Sequence, residues 1–281
     1  MTEKNIEDDA TLICFRSTVL LQDWITYNAF ALEEKSWIMS RLAEDKYVRL
    51  TRHLIRSCIT PGILKRVTTL IFDKAVLEPT FCAMYAQLCY DIHDRLPKFP
   101  PEPIGSDDDE ITFMRVLLNT IQMLFDGTDE LSDEIRKMNA ADQKKDKEML
   151  LKLRTLGNLR LVGELFLKQT IPEKIVLHFF QELLSHDEKT YPSEEKLEAV
   201  CVFLKTIGKK LDGSKLVDSF LGFSSKQYSD YFFRRLKSLS SHPQLSRRIK
   251  FLVRDIFDLR SNNWIPSGKE SSYYPLDEHH M

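Results

Sequence analysis

Hydrophobic positions recur at helical spacing along most of the chain. The clearest run includes Ile63, Leu64, Val67, Leu70 and Ile71. Similar runs return at 81–92, 111–125, 150–165, 175–183, 197–207, 232–239 and 249–257. Apolar residues separated by three and four positions form one face of an amphipathic helix. The pattern therefore predicts an all-α protein made of successive amphipathic helices.

Prolines divide these runs into shorter helices. Glu78-Pro79 interrupts the run from Leu70 to Cys89, and Thr60-Pro61, Ile171-Pro172 and Tyr191-Pro192 stand at other interruptions. Proline fits the first turn of a helix and disfavours the α conformation in the residue before it. Paired helices that repeat about every 40 to 50 residues predict a HEAT-like α-solenoid of about four or five pairs.

Other segments break the helical pattern. The proline- and acid-rich interval from Pro97 to Asp109 predicts a mobile loop, after which helix resumes at Ile111. The charged interval from Asp126 to Glu148 is expected to be helical only in part, around Leu131 to Met138.

Three regions are expected along the chain. Because stacked repeats share one core, residues 42–265 are expected to form a single repeat domain. Residues 1–41 show no clean period and form an extension of unclear structure. Residues 266–281 are rich in serine and read as a disordered tail.

Composition favours an ordinary cytoplasmic protein. The formal net charge of −2 excludes a uniformly basic nucleic-acid binder but allows a local basic patch. The five cysteines show neither a CxxC motif nor zinc spacing, so reduced thiols are expected. The chain opens on acidic residues, and the apolar patch from Leu12 to Ile25 is too short to span a membrane.

The sequence offers no catalytic constellation. It contains no GxSxG elbow, Walker loop, GxGxxG or HExxH motif, and its histidines are isolated apart from the pair at 279–280. We therefore expect a protein without enzymatic activity, metal or cofactor.

Two basic clusters are candidates for RNA binding. The first comprises Lys144, Lys145, Lys147, Lys152, Arg154 and Arg160. The second comprises Arg234, Arg235, Lys237, Arg247, Arg248, Lys250, Arg254 and Arg260. Each cluster is either a solvated helix face or a site that neutralises RNA phosphates. The sequence contains neither an RNP-type aromatic signature nor a KH loop, so it does not indicate base-specific recognition.

The string RRIKFLVRDIFDLRSNNW, residues 247–264, combines both signs of charge. Arg254 with Asp255, and Asp258 with Arg260, are expected on one short helix. They form either intrahelical ion pairs or a charged rim for a partner protein.

Three motifs resemble a known family in their order along the chain. LIFDKAVLEPTFCAMYAQLC, residues 70–89, resembles the FDKAVxEPxFxxxYAxLC signature in the middle domain of eukaryotic translation initiation factor 4 gamma. LRTLGNLRLVGELF, residues 153–166, and the string at 247–264 resemble later motifs of that family, most closely in its plant members.

The resemblance covers residues 43–265 and carries functional implications. It implies a crescent of five HEAT-type helix pairs that binds a DEAD-box helicase, initiation factor 4A, and holds its two lobes in a productive arrangement. It also implies contact with RNA, without sequence specificity, and recruitment of initiation factor 3 nearby.

The family motifs map onto ten positions as helicase-contacting or supporting residues. Near the first corner these are Phe72, Asp73, Lys74, Glu78 and Pro79. Near the end of the domain they are Arg254, Asp255, Asp258, Arg260 and Trp264. Core packing is the other explanation for Phe72 and Trp264, because aromatic residues dominate cores as well as interfaces.

The chain departs from full-length family members. Their cap-binding-protein motif is YxxxxL followed by an apolar residue, whereas the only YxxxxL here, Tyr231 to Leu236, is followed by Lys237. A stand-alone middle domain is expected to bind helicase and RNA without linking them to the cap. The alternative function is a regulator that sequesters the helicase or joins an mRNA-decay or cap-binding assembly.

Overall fold

The computed structural model describes residues 48–49, 51–56, 60–100, 110–138, 141–184, 191–214, 225–243 and 245–266. The expectations for residues 1–41 and, apart from Pro266, for residues 266–281 lie outside this part of the chain. Helices occupy α1 Pro61–Leu77, α2 Cys82–Arg95, α3 Phe113–Lys137, α4 Ala141–Leu167, α5 Glu173–Leu184, α6 Glu194–Gly213, α7 Ser225–Ser240 and α8 Arg247–Ser261.

The all-α prediction is confirmed. Residues 48–49 and 51–56 are also helical, and the described residues contain no strand beyond one isolated bridge between Phe99 and Ile111. They form two compact units, divided between Val176 and Leu177. None of the described helices is long and apolar enough to cross a lipid bilayer. The single-domain bounds of 42–265 remain a prediction.

The corner expected at Glu78-Pro79 is present. Thr60 caps the start of α1 by accepting a hydrogen bond from the Ile63 amide at 3.3 Å, and Pro61 occupies the first turn. α1 ends at Leu77, and a 3₁₀ turn at Pro79–Phe81 leads into α2. Proline therefore ends one helix and starts the next, as its fixed φ predicts.

Helix α4 is the centre of the first unit, where it packs against α1, α2 and α3. It lies against α1 at Gly157, where an added Cβ would be only 2.7 Å from the Cα of Val76. A glycine is needed here because any side chain would push the two helices apart.

The charged interval 126–148 is helical over nearly its whole length, so the expectation of helix only around Leu131 to Met138 was wrong. α3 continues to Lys137, and α4 begins at Ala141. The charged side chains lie on exposed helix faces and pair there, with Arg136 and Asp133 separated by 2.8 Å. Buried Ile135 anchors this part of α3. Charge alone therefore did not signal a loop, since a solvated helix face also carries charges.

The loop expected at 97–109 falls partly outside the described residues, which resume at Glu110. Phe99 and Ile111 exchange two backbone hydrogen bonds of 2.9 and 3.0 Å, so Ile111 is extended. The expectation that helix resumes at Ile111 was therefore wrong. The helix begins two residues later, at Phe113, because Thr112 caps it by accepting from the Arg115 amide.

Helices α6, α7 and α8 form the core of the second unit. Glu194 bonds to Ser246, Glu198 to Arg248, and Asp212 to Arg260, so α6 and α8 run parallel. The pairs Asp230–Arg260 and Phe233–Phe257 show that α7 and α8 run antiparallel. Repeating helix pairs of an α-solenoid stack in this way, with like helices side by side.

Candidate partner and nucleic-acid interfaces

The corner between α1 and α2 is fixed by Glu78. The hydroxyl of Tyr85 donates to Oε2 of Glu78 at 2.6 Å, and Lys74 Nζ lies 3.9 Å from Oε1. Tyr85 is buried in α2, and this burial, together with the Glu78 hydrogen bond, raises the pKa of its phenol far above the usual range. The phenol therefore stays protonated and remains a donor to the corner carboxylate.

The five expected corner residues differ in their access to solvent. Phe72 is only 1 % exposed, so its side chain belongs to the core and supports the corner from inside. Lys74, Glu78 and Pro79 are half-buried, and Asp73 is exposed on α1. A partner therefore reaches Asp73 most readily, whereas Lys74 and Glu78 are already paired with each other.

A second network joins α6, α7, α8 and the turn after α8 around the carboxylate of Asp212. Arg260 donates to both oxygens of Asp212, at 2.8 and 2.7 Å. Ser229 donates its hydroxyl at 2.7 Å, and the indole of Trp264 donates at 2.9 Å. Arg260 also donates to Asp230 at 2.7 Å. One guanidinium thus connects three helices.

The pKa shifts follow from this network. Burial tends to raise the pKa of Asp212, but the hydrogen bonds from Arg260, Ser229 and Trp264 outweigh it and lower the pKa below its usual value. For Arg260, burial tends to lower the pKa, whereas the two carboxylates raise it overall. Both groups therefore remain charged and paired near neutral pH.

Trp264 is built into the second unit. Its ring packs directly on Gly208 of α6, so that an added Cβ there would overlap Cη2 of the indole. The ring also meets Phe233 edge-on, with the centroids 6.2 Å apart. Asn263 and Trp264 have φ values of 52° and 62°, a left-handed turn that is uncommon for non-glycine residues. The Asp212 hydrogen bond and the Gly208 contact both restrain Trp264 in this turn.

Arg260 does not form an ion pair with Asp258, which was one of the two arrangements that the sequence left open; it pairs with Asp212 and Asp230. Asp258 and Arg260 are two positions apart and lie on different faces of α8. Arg254 instead approaches Asp258 at 3.9 Å, one turn along, and both side chains are about three-quarters exposed. Asp255 is also exposed. Arg254, Asp255 and Asp258 therefore form an accessible charged face, while Arg260 acts inside the network.

The first basic cluster is distributed along α4. Lys147 pairs with Glu134 of α3 at 3.1 Å. Lys145 and Arg154 are exposed, and Lys144, Lys152 and Arg160 are half-buried. Lys145 and Arg154 are the cations of this cluster most accessible to an RNA backbone.

The second basic cluster is denser. Helices α7 and α8 carry nine lysines and arginines against three aspartates, in a chain whose formal net charge is −2. Arg248 pairs with Glu198, and Arg260 belongs to the Asp212 network. Arg235 and Lys250 are half-buried, whereas Arg234, Lys237, Arg247 and Arg254 are exposed. These two helices therefore form a local positive surface that the net charge conceals.

A cleft of about 580 Å³ opens between α7 and α8 within this surface. Its lining residues are Gln227, Asp230, Phe233, Arg234, Lys237, Phe257 and Arg260. The guanidinium carbon of Arg260 lies 3.9 Å from the centre of the Phe233 ring, so cation–π contact holds this wall in place. The Asp212 network therefore shapes one end of the cleft.

Sequence reasoning missed Asp212, Ser229, Asp230 and Gly208. Asp212 and Arg260 are 48 residues apart, and no local motif connects them. Only the parallel packing of α6 and α8 brings these side chains together.

The described cysteines are structural. Cys82, Cys89 and Cys201 are buried, and burial raises the pKa of each thiol to about 12. They are therefore neutral and poor nucleophiles near neutral pH. Among the described residues, no group of three or more His, Cys, Asp or Glu side chains is arranged to hold a metal ion.

Comparison with known proteins identifies relatives over most of the chain. The profile of the MIF4G domain family matches residues 36–263. Eukaryotic translation initiation factor 4G of Arabidopsis thaliana is 32% identical over 251 residues, and that of Oryza sativa subsp. japonica is 35% identical over 224. Human eukaryotic translation initiation factor 4 gamma 2 is 29% identical over 243 residues. The family resemblance drawn from the three motifs is confirmed.

The matched regions are small parts of these relatives. The alignments cover 86%, 77% and 82% of this chain but only 14%, 12% and 25% of the Arabidopsis, rice and human proteins. Among solved structures, the MIF4G domain of translation initiation factor EIF4G5 from Trypanosoma cruzi matches with a TM-score of 0.42 and 21% identity. That match covers 77% of this chain and 88% of the other.

Proposed function

The chain belongs to the MIF4G domain family, and on this basis we propose that it is a non-catalytic scaffold of translation initiation. In this role it binds a DEAD-box RNA helicase, initiation factor 4A, together with RNA in the cytoplasm. The family match over residues 36–263 carries the proposal. It is supported by the relatives, which are named as translation initiation factors.

Two exposed charged faces are the proposed helicase contacts. One centres on Asp73 beside the paired Lys74 and Glu78 in the first unit. The other comprises Arg254, Asp255 and Asp258 on α8 in the second unit. The backbone elements that carry these faces are each tied down by a hydrogen bond, the end of α1 through Glu78 and α8 through Arg260 and Asp212. Such pre-organised surfaces lower the ordering cost of binding, which favours a scaffold that holds a two-lobed enzyme.

RNA binding is assigned to the positive surface of α7 and α8, with a smaller contribution from the exposed Lys145 and Arg154 of α4. Exposed cations displace counterions from RNA, so the affinity is expected to fall steeply as salt concentration rises. The cations of α7 and α8 outnumber their aspartates three to one, which makes these helices the stronger site.

The deciding experiment measures the RNA-dependent ATPase rate of the helicase with and without this protein. A scaffold increases the rate at subsaturating RNA, whereas a sequestering regulator lowers it. Absence of the helicase from a pull-down would remove both functions. The same pull-down, probed for initiation factor 3, tests the further partner that the family suggests. For charge-reversal variants of the proposed helicase contacts, the control is R136E. Arg136 is an exposed arginine of α3 that pairs with Asp133 and lies in neither proposed contact face.

A further inference from the structure

The cleft between α7 and α8 combines features that phosphate binding does not require. A surface that only neutralises phosphates needs cations, yet this cleft places the carboxylate of Asp230 beside Arg234 and Lys237. It also has an aromatic wall at Phe257, which is half-buried. A ligand that satisfies the whole cleft carries hydrogen-bond donors, a flat apolar face and an anion.

The three polar groups follow one line along α7. Asp230, Arg234 and Lys237 are separated by four and three residues, so they lie on the same face of the helix. The helical rise places the first and last about 10 Å apart. A single nucleotide has this polarity along its length, with N–H donors on the base edge and a negative phosphate at the other end.

Asp230 is held ready to accept hydrogen bonds. Arg260 donates to its Oδ1 at 2.7 Å, while about half of the Asp230 side chain remains exposed. Because Arg260 is also tied to Asp212 and to the face of Phe233, the Asp230 carboxylate has a fixed support. A carboxylate fixed in this way accepts from a base that offers two adjacent N–H donors.

We propose that this cleft is a base-selective RNA subsite that takes one unpaired guanine. Phe257 packs against the base, the guanine N1–H and exocyclic amine donate to Asp230, and Arg234 and Lys237 bind the adjacent phosphate. Unpaired bases are commonly recognised by aromatic contact together with hydrogen bonds to their Watson–Crick edge. The volume of about 580 Å³ accommodates a nucleotide. This subsite rests on the proposed RNA binding and adds a preference that phosphate contacts alone do not produce.

Guanine fits the cleft better than the other bases. Uracil presents one N–H between two carbonyl acceptors, which would face the carboxylate. Adenine and cytosine each offer an exocyclic amine beside a ring-nitrogen acceptor. Only guanine places two donors side by side opposite a carboxylate. An acidic peptide would use the cations but would place like charges near Asp230, so the cleft favours the nucleotide.

The test compares fluorescently labelled ten-nucleotide uridine RNAs that carry one central G, inosine, A, C or U. The G-containing RNA is expected to bind about fivefold or more tightly than the all-uridine RNA. Inosine, which lacks the exocyclic amine, is expected to lose part of this gain. In D230N the preference disappears while the all-uridine affinity stays the same or rises. D94N, which removes an exposed carboxylate of α2 outside every proposed site, retains the preference.

Several results would overturn the assignment. Equal binding of all five RNAs by the unaltered protein would leave RNA binding intact but remove the guanine subsite. Persistence of the preference in folded D230N would also remove the guanine subsite. The comparison of G with inosine tests the same contact without any change to the protein, so it does not depend on how D230N folds. If no RNA binds, the RNA part of the proposed function fails together with the subsite. If D230N and K237A lower helicase capture and leave RNA affinity unchanged, the cleft is a protein contact.

Discussion

The indole of Trp264 lies directly on the backbone of Gly208, 56 positions earlier in the sequence. The same indole donates a hydrogen bond to Asp212, one turn further along α6. These contacts connect the turn after α8 to α6. They show that the final aromatic residue of the third motif packs within the second unit.

The Gly208 contact predicts a sharp effect of one methyl group. G208A forces Trp264 out of place and is expected to lower the free energy of unfolding by about 1–3 kcal/mol or more. Urea unfolding followed by circular dichroism measures this. G213A on the same helix is the control, because a Cβ there meets nothing within 4 Å. Equal stability of the two variants would contradict the packing described here.

The Asp212 network predicts a pH-dependent loss of stability. Because the folded pKa of Asp212 is lowered, its contribution is present above the unfolded value of about 3.8 and is lost as pH falls through the folded pKa. D212N is expected to cost about 1–3 kcal/mol near pH 7, and the gap to the unaltered protein should narrow below about pH 4. Denaturant unfolding at several pH values measures the gap. D258N, at an exposed pair, should change stability by less than about 1 kcal/mol.

The corner predicts a specific role for one hydroxyl. Y85F removes the donor to the Glu78 carboxylate and is expected to cost about 1.5–3 kcal/mol, the range for a hydrogen bond to a charged group. Thermal or urea unfolding tests this value. Y90F is the matched control, because Tyr90 lies on the same helix and is exposed. A Y85F protein as stable as Y90F would show that the hydrogen bond does not brace the corner.

The charged face of α8 predicts a separation between binding and folding. R254E is expected to weaken helicase binding without changing helical content, because Arg254 is exposed and pairs only loosely with Asp258. R260E, in contrast, is expected to destabilise the protein, since it places a third carboxylate among Asp212 and Asp230. Pull-down of the helicase and circular dichroism distinguish the two effects. Unchanged helicase binding by R254E would remove this face from the scaffold proposal.

The first basic cluster predicts a change in salt dependence. K145A/R154A, which removes the two exposed cations of this cluster, is expected to lower RNA affinity and to reduce the slope of log affinity against log salt by about 1.4, for two single-strand phosphate contacts. Fluorescence anisotropy over a salt series measures the slope. K65A/R66A, which removes two exposed cations of α1, serves as the control. A slope equal to that of the control would limit RNA binding to α7 and α8.

Much of the fold was predictable because its causes are local. The corner at Glu78-Pro79 and the start of α1 at Pro61 follow from proline geometry, which depends only on neighbouring residues. The apolar positions of α5 and α6 repeat at helical spacing and are mostly buried as expected. The ends of α3 and α4 were not predictable in this way, because charged residues there suit both an exposed helix face and a loop.

The sites depend on contacts that sequence spacing does not reveal. Phe72 and Asp73 are adjacent in the motif, yet one lies in the core and the other in solvent. For Asp258 and Arg260 the sequence left an intrahelical ion pair and a partner-facing rim open. Arg260 instead bonds to Asp212 and Asp230, which come close only after α6, α7 and α8 pack. Family motifs therefore located the regions, whereas tertiary packing determined which side chains are accessible.

The cap at the start of α8 has a consequence for the order of folding. Glu194 accepts hydrogen bonds from both the amide and the hydroxyl of Ser246, at 2.6 and 2.7 Å, across 52 residues. This capping arrangement cannot form until α6 is in place, so α8 gains its full N-terminal stabilisation only on docking. Contacts so distant in sequence form late, because the chain must close a long loop first. During synthesis, α8 should therefore complete its folding on an α6 surface that already exists.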